Sequence, residues 1–283
     1  MAELLKSIAE PKSRYLVFTS AGRNANVANW VKHDDGFDLW VCCYEDIQPE
    51  YINDCDYFVR RKGGKFPSFK YCFDAWIEIF QRYEAVLISD DDIVIHGGRI
   101  SELFEIRSRY DLWLMQPAFE RTGKVSFRLN EVAPFSELRF CNFVEVTCPI
   151  FRLDKITEFM GIYDSRLVGW GVDLWYSQVL SAKDVERNKI AIVDYVSCVN
   201  PREVSKIDGK REIDALQSAD VRKEIWEQIQ NDYCLDRTFQ RKQWGGVSSS
   251  FSIKLTLRSL RILLVRLLYR SYKALVREQW RPE

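Results

Sequence analysis

Three consecutive aspartates, residues 90–92, are the part of the sequence best suited to chemistry. They end the apolar run 85–88 and Ser89, and the apolar pattern resumes at Ile93. A short unbroken apolar run predicts a strand buried on both faces. Three carboxylates at its end repel one another and need a cation, or hydrogen bonds from a ligand or the backbone. We predict a Mg²⁺ or Mn²⁺ site that binds a diphosphate, because phosphate oxygens complete the coordination of such ions. The alternative is an acidic turn exposed to water.

Two loops are suited to a phosphorylated ligand. A turn of small residues, Thr19 to Gly22, follows the apolar run 15–18, and small side chains let the backbone approach a ligand closely. The segment RRKGGKFPSFK at 60–70 contains five basic residues and two adjacent glycines. A basic loop with glycines is suited to phosphate; the alternative is a solvated surface loop.

Two further carboxylates and a tryptophan are candidates for the other side of a site. Glu145 interrupts a long apolar run, where a charge either has a structural ion-pair partner or points into a cleft. Glycines on both sides of Trp170 force a tight bend and display the indole, which suits a sugar ring or a base. Asp173 opens the next predicted helix, where the dipole favours a carboxylate and where the simpler interpretation is an N-cap.

A sheet is needed to bring these residues together. Apolar runs predict strands at 15–18, 37–44, 57–60, 85–88, 112–115, 138–151 and 190–194. Helical spacing predicts helices at 24–31, 71–83, 100–110 and 153–163, and a short helix at 2–10. Strands that alternate with helices predict an α/β fold, with a mostly parallel mixed sheet flanked by helices.

Length, charge and cysteine content narrow the class of protein. The 283 residues fit one large α/β domain with extensions, or two small domains. The 41 basic and 41 acidic side chains cancel, which argues against a general binder of polyanions such as nucleic acid. Eight cysteines without a CxxC pair are expected to be buried and reduced, as in a reducing compartment. Two histidines without ligand-like spacing make zinc unexpected. The chain shows neither a signal peptide nor an apolar run long enough to span a membrane.

The C-terminal part of the chain has a different pattern. Residues 202–243 are highly charged, with helix predicted at 212–230, and the glycines and serines at 245–250 predict a hinge. Between 252 and 280, leucines cluster on one half of a helical wheel and seven basic residues on the other. The basic residues are Lys254, Arg258, Arg261, Arg266, Arg270, Lys273 and Arg277.

A basic amphipathic helix of this kind is typical of attachment to an anionic membrane surface. Each basic residue near such a surface contributes about 1 kcal/mol. The alternative is a helix that docks on the protein core or on a partner chain. We predict a catalytic domain at 1–205, a helical extension and hinge at 206–250, and a membrane-surface helix at 251–283.

The order of these motifs resembles the GT-A class of nucleotide-sugar glycosyltransferases. More closely, KGGKFPSF, ISDDDIVI, NFVEVTCPIF and LVGWGVDLWY resemble a bacterial and plant family whose members share a domain of unknown function. The similarity covers about residues 14–205. It implies a GT-A-like, Rossmann-like fold and transfer of a sugar from a nucleotide sugar.

The resemblance also implies roles for matching residues. Asp90 and Asp92 are the Asp-x-Asp pair, with Asp92 the metal ligand and Asp90 nearer the ribose or the metal waters. Asp173 is the general base. The donor side comprises Ser20, Ala21, Gly22, Lys62, Lys65, Asp90 and Asp91, with the two lysines facing either the diphosphate or the solvent. The acceptor side comprises Glu145, Trp170 and Gly171.

One departure from the family pattern concerns the metal. Relatives carry a histidine just after the last core strand, as a third metal ligand, whereas this chain has Asn200 there. An amide oxygen binds Mn²⁺ less strongly than imidazole does.

The implied reaction is an inverting transfer to a glycan or lipid-linked acceptor in surface polysaccharide assembly. It would take place in the cytoplasm, at the inner face of the cytoplasmic membrane. Two alternatives stay open. A metal-dependent phosphoryl or nucleotidyl transferase also needs clustered aspartates. A non-catalytic module that binds a sugar nucleotide or a glycan is compatible with Asn200.

Overall fold

The computed structural model describes residues 2–32, 34–46, 49–181, 187–202, 216–248 and 253–279. The predicted domain boundaries at 205/206 and 250/251 lie outside these ranges, as do residues 212–215 of the predicted extension helix and both ends, 252 and 280, of the predicted membrane helix.

The described residues form alternating strands and helices. The strands are β1 (Leu4–Lys6), β2 (Tyr15–Ala21), β3 (Asp38–Cys43), β4 (Tyr57–Arg60), β5 (Ala85–Asp90), β6 (Val94–Gly97), β7 (Leu114–Phe119), β8 (Ser136–Cys141), β9 (Ile150–Arg152), β10 (Ile190–Val199) and β11 (Gln243–Ser248). The α-helices are α1 (Val27–Val31), α2 (Lys65–Ala75), α3 (Ile77–Phe80), α4 (Ile100–Arg109), α5 (Leu153–Met160), α6 (Val172–Ser181), α7 (Ala219–Asp232) and α8 (Ile253–Gln279). Short 3₁₀ turns occur at Glu50–Asn53 and Arg128–Asn130.

The described strands form one mixed sheet in the order β1-β4-β3-β2-β5-β9-β7-β10-β8-β11, and β6 pairs with β10. The four neighbours β4, β3, β2 and β5 are parallel, as are β7 and β10. Every pairing of β1, β6, β8, β9 and β11 is antiparallel. Among the described strands, β1, β6 and β11 each have only one partner. The α/β fold expected from the sequence, a mixed sheet flanked by helices, is confirmed.

Apolar layers cover both faces of the sheet, and strand β2 shows why. All seven of its residues are buried. Leu16 and Phe18 face one layer, whereas Tyr15 and Val17 face the other, since successive side chains of a strand point to opposite faces. Burial on both faces explains why the strand has an unbroken apolar sequence.

Several segments differ from the prediction. Residues 65–70, predicted as part of a basic loop, begin helix α2. Residues 4–6 form the edge strand β1, not part of a helix, because a helix of under ten residues is marginal alone, whereas pairing with β4 satisfies backbone groups of both strands. The run 138–151 is two strands, β8 and β9. The strand is interrupted because Pro149 has no N–H to donate to a neighbouring strand. The N–H of Glu145 donates to the side chain of Gln116 and not to a strand backbone.

The C-terminal segments pack onto the same core. Ile225, Trp226 and Ile229 of α7 belong to one apolar layer. Gly245 and Gly246, predicted as part of a hinge, lie in β11 and pair with β8. A Cβ on Gly246 would stand 2.7 Å from the carbonyl oxygen of Leu138, so glycine permits this close pairing. Residues 249 and 250 of the predicted hinge lie outside the described residues.

All eight cysteines lie in described segments and have free thiols; Cys234 is exposed and the other seven are buried.

Candidate active site

A cleft of about 700 Å³ opens beside the carboxyl ends of the parallel strands β2 and β5. Most residues predicted from the sequence line it. They are Ser20, Lys62, Lys65, Asp90, Asp91, Asp92, Glu145, Trp170, Asp173 and Asn200. Ala21, Gly22 and Gly171 are not among its lining residues.

Lys65 cross-links two walls of the cleft. Its Nζ lies 2.6 Å from Oδ1 of Asp90 and donates to the carbonyl oxygens of Val146 and Thr147, both at 2.7 Å. The lysine side chain is only 10% exposed. Lys65 therefore neutralises Asp90 and fixes it against the loop that follows β8. Lys62, by contrast, is exposed and pairs with Asp46 on the surface.

Asp91 fixes the turn after β2. The N–H of Gly22 donates to Oδ2 of Asp91 at 3.0 Å, and the N–H of Asn26 donates to its backbone oxygen at 2.7 Å. A Cβ on Gly22 would stand 2.6 Å from Oη of Tyr44. The small residues of this turn thus allow close packing within the protein.

Ser20 is the residue of that turn that reaches the cleft. It is 8% exposed, and its hydroxyl has no hydrogen-bond partner among the described residues. A buried hydroxyl without a partner is costly. The residue lines the cleft, but the oxygen itself is closed off from solvent, so a ligand would meet it only after a rotation of the side chain.

The predicted metal site has oxygen donors but not a complete ligand cage. Asp90, Asp92 and Asn200 line one cleft, and carboxylate and amide oxygens suit Mg²⁺ or Mn²⁺. Within the described ranges, no group of three or more His, Cys, Asp or Glu side chains is arranged to hold a metal ion. The donor set fits an ion that takes its remaining ligands from phosphate and water.

Glu145 is held by neutral donors. Ser126 and Thr147 donate to Oε1 at 2.8 and 3.3 Å, and Asn130 donates to Oε2 at 2.7 Å. No lysine or arginine in the described part of the chain forms an ion pair with it. The carboxylate is 7% exposed and lines the cleft. This environment disfavours the structural salt bridge that the sequence left open.

Asp173 is a buried acid in the first turn of α6. The N–H of Leu174 donates to its Oδ1 at 2.9 Å, and the residue is 7% exposed. Burial, which disfavours the charged form, and then the nearby charge of Glu145 raise the pKa of Asp173 to about 6. Because it lies inside the helix, Asp173 is not the residue that precedes the helix as an N-cap. An acid with this pKa in a cleft is suited to accepting a proton near neutral pH.

The Gly-Trp-Gly bend depends on two glycines. Gly169 and Gly171 have φ of +83° and +97°, a region that favours glycine. A Cβ on Gly171 would stand 3.0 Å from the ring of Trp226 in α7. Trp170 is 53% exposed, lines the cleft and meets Trp226 edge to face, with ring centroids 6.3 Å apart.

Several lining residues were not singled out from the sequence. Lys124, Ser126 and Phe127 come from the loop after β7, and Leu216 and Arg222 come from the chain around the start of α7. The charged composition of 202–243 was visible, but no local pattern indicated that this segment folds back to the cleft.

Helix α8 docks on the core through three arginines of its basic face; the side chains of Lys254, Arg270, Lys273 and Arg277 lie outside the described residues. Arg261 donates to Oε2 of Glu120 at 2.7 Å, Arg266 donates to Oε1 of Glu131 at 2.6 Å, and Arg258 donates to the carbonyl of Tyr195. For these three arginines the structure shows the alternative left open by the sequence, docking on the protein core, and not a basic face turned toward a bilayer. Arginine can pair with the buried acids of the core, and helical periodicity alone does not reveal whether the basic face meets the core or a bilayer.

The opposite side of α8 is exposed and apolar. Six leucines form this leucine face, with exposures between 36% and 63%: Leu257, Leu260, Leu263, Leu264, Leu267 and Leu268. In the described parts of the chain, no helix has the length and apolar character needed to pass through a membrane.

Comparison with known proteins gives distant structural similarity only. No protein-family model and no curated protein matches the chain. Among solved structures, A197 from STIV is 13% identical, with a TM-score of 0.40, and the match covers 65% of this chain and 84% of A197. S. aureus TarS is 11% identical, with a TM-score of 0.45, over 66% of this chain and 36% of that one. TarS 1–349 in complex with UDP is 11% identical, with a TM-score of 0.40, over 66% of this chain and 60% of the other.

Proposed function

We propose that this protein is a metal-dependent glycosyltransferase that moves a sugar from a nucleotide-sugar donor to a hydroxyl of a glycan or lipid-linked acceptor. One observation carries the proposal. The aspartates at 90–92, the buried acid Asp173 and the exposed indole of Trp170 line a single cleft. Such a cleft offers a place for a diphosphate, a proton acceptor and a flat surface for a sugar ring.

The donor would lie on the side of β2 and β5. Ser20 lines the cleft on that side, and Lys65 holds Asp90 in place. Asp90, Asp92 and Asn200 would hold Mg²⁺ or Mn²⁺ together with phosphate oxygens. When bound, the ion supplies positive charge that stabilises the departing diphosphate.

Asp173 would act on the acceptor. It takes the proton of the acceptor hydroxyl while that oxygen forms a bond to the anomeric carbon. The bond from the anomeric carbon to the diphosphate oxygen breaks, and its electron pair leaves with the diphosphate. One such displacement inverts the anomeric centre. Trp170 offers an indole face to the acceptor ring, and burial, followed by the charge of Glu145, keeps the pKa of Asp173 high.

The leucine face of α8 suggests where the reaction takes place. We assign it to the interfacial region of a membrane, where apolar side chains enter the boundary between headgroups and acyl chains. In this orientation the leucine face contacts the membrane, and not the basic face that the sequence predicted. It suits an enzyme that extends lipid-linked glycans in surface polysaccharide assembly at the inner face of the cytoplasmic membrane.

A panel of nucleotide sugars tests the function directly. A bound donor raises the melting temperature because it binds only the native state, so one sugar nucleotide should stabilise the protein in the presence of Mn²⁺. Slow hydrolysis of that donor, lost in Asp92→Ala, is the expected result. Tight binding without any turnover, with or without candidate acceptors, would point instead to a non-catalytic binding module.

A further inference from the structure

A second pocket, of about 370 Å³, lies outside the cleft, beside the docked face of α8. We call it the arginine pocket. Its charged lining residues are Arg121, Arg128, Arg139, Arg266 and Glu131. Four guanidinium groups thus surround a space large enough for a small anion, and one carboxylate faces them.

Two of the arginines already share the carboxylate. Arg121 and Arg266 each lie 2.6 Å from Oε1 of Glu131. Burial alone would raise the pKa of Glu131, but these two guanidinium groups hold that pKa below its usual range. One negative charge is therefore divided between two cations, and the group of three keeps a positive charge.

Arg139 and Arg128 differ in the partners of their guanidinium groups. Arg139 pairs with buried Asp194 at 2.8 and 3.0 Å and donates to the backbone oxygens of Leu129 and Glu131, so its charge is matched. Arg128 is exposed, and its guanidinium makes no hydrogen bond or ion pair with any residue in the described segments. Counted over the described residues, the pocket therefore has unmatched positive charge and one guanidinium with free donors.

We propose that the arginine pocket binds a phosphate group. A guanidinium presents paired donors that match phosphate oxygens, and Arg128, Arg121 and Arg266 border one cavity. The phosphate can come from a soluble phosphate ester or from the headgroup of an anionic lipid.

The pocket and the cleft share one turn of the chain. Arg128, Leu129 and Glu131 line the pocket, while the intervening Asn130 is fully buried and donates to Glu145 in the cleft at 2.7 Å. A phosphate bound at Arg128 would restrain the turn that holds Glu145. This connection does not depend on the reaction assigned to the cleft, because the binding itself is measured without turnover.

Calorimetric titration of the full chain with inorganic phosphate, and flotation with vesicles, test the proposal. Arg128→Gln removes the free guanidinium at an exposed site, and Lys32→Gln is the control, an exposed cation distant in sequence and absent from the pocket lining. Loss of one charge-assisted contact should weaken binding about tenfold, and Lys32→Gln should match the wild type. Arg128→Lys keeps the charge but loses the paired guanidinium donors, so its affinity should lie between those of the wild type and Arg128→Gln.

The two arms identify the source of the phosphate. If Arg128→Gln weakens binding of inorganic phosphate, a soluble phosphate ester is sufficient. If it weakens only flotation with phosphatidylglycerol vesicles, and flotation with pure phosphatidylcholine is unchanged, the ligand is a lipid headgroup. Equal responses of wild type and Arg128→Gln in both arms, or an equal loss in Lys32→Gln, would overturn the proposal.

Discussion

Lys65 Nζ lies 2.6 Å from Oδ1 of Asp90, within a side chain that is 10% exposed. The same ammonium group donates to two backbone oxygens of the loop that carries Glu145. One lysine therefore sets the distance between the end of β5 and the opposite wall of the cleft.

Replacing Lys65 by Met should destabilise the protein and loosen the cleft. Asp90 and two carbonyl oxygens would lose their donor, at a cost of about 1–3 kcal/mol. Urea unfolding measures this loss, and donor affinity should fall with it. Lys62→Met is the matched control, since this lysine is 72% exposed and should change stability by under about 0.5 kcal/mol. Equal effects of the two substitutions would contradict the cross-linking role of Lys65.

The activity should fall at acid pH because of Asp173. A general base works only when it is deprotonated, and the pKa of Asp173 is raised to about 6 by burial and by Glu145. The acidic limb of kcat/KM should therefore lie near pH 6. Glu145→Gln removes the neighbouring negative charge and should move that limb to lower pH. If the acidic limb stays at the same pH in Glu145→Gln, the charge of Glu145 does not influence the titration of Asp173.

Asp173→Asn should lose transfer activity and gain stability at neutral pH. The pKa of Asp173 is raised from 3.8 to about 6 in the folded state. The stability that this carboxyl contributes when protonated is therefore complete below pH 3.8 and is lost as the pH rises through 6. Above pH 6 the native wild type holds a buried charge that the amide lacks, a difference of about 2–3 kcal/mol. Melting curves at pH 5 and pH 8 measure it; the gain should be larger at pH 8. Donor affinity should be nearly unchanged, and its loss would place Asp173 in the donor site.

Asn200→His should strengthen the response to Mn²⁺. Imidazole is a better ligand for Mn²⁺ than an amide oxygen, and residue 200 lines the cleft that contains Asp90 and Asp92. The Mn²⁺ concentration that gives half-maximal thermal stabilisation by the donor should fall several-fold. Asn200→Ala should raise it. If neither variant shifts the Mn²⁺ dependence, Asn200 is not a ligand.

The leucine face should control attachment to membranes. Leu264→Ser combined with Leu267→Ser removes two side chains that are 56% and 59% exposed, so folding should be kept while vesicle binding falls more than tenfold. Leu5→Ser, at a leucine that is 50% exposed elsewhere, is the control. Binding should persist in high salt, because Arg261 and Arg266 already pair with acids of the core. A change of oligomeric state in place of vesicle binding would assign the face to a second copy of the chain.

Local patterns predicted the parts of the molecule that local physics determines. The unbroken apolar run of β5 predicted a strand buried on both faces, and the two glycines around Trp170 predicted a bend that displays the indole. Both features follow from residues within a few positions of one another.

The remaining features depend on partners distant in the sequence. Lys65 could be assigned to phosphate or to solvent, but its acceptors, Val146 and Thr147, lie about eighty residues further on. The periodicity of α8 revealed two faces but not which one docks, because that depends on Glu120 and Glu131 in another part of the chain. The break between β8 and β9 likewise depends on Gln116.

Strand β11 has a consequence for how this protein can be divided. Its two glycines bring it close against β8, and the open edge of a sheet is a template for unwanted pairing between molecules. Cutting the chain before residue 243 would uncover that edge. The C-terminal segment therefore covers the edge of β8 with the strand β11, and a chain shortened before residue 243 would offer the backbone groups of β8 to other molecules.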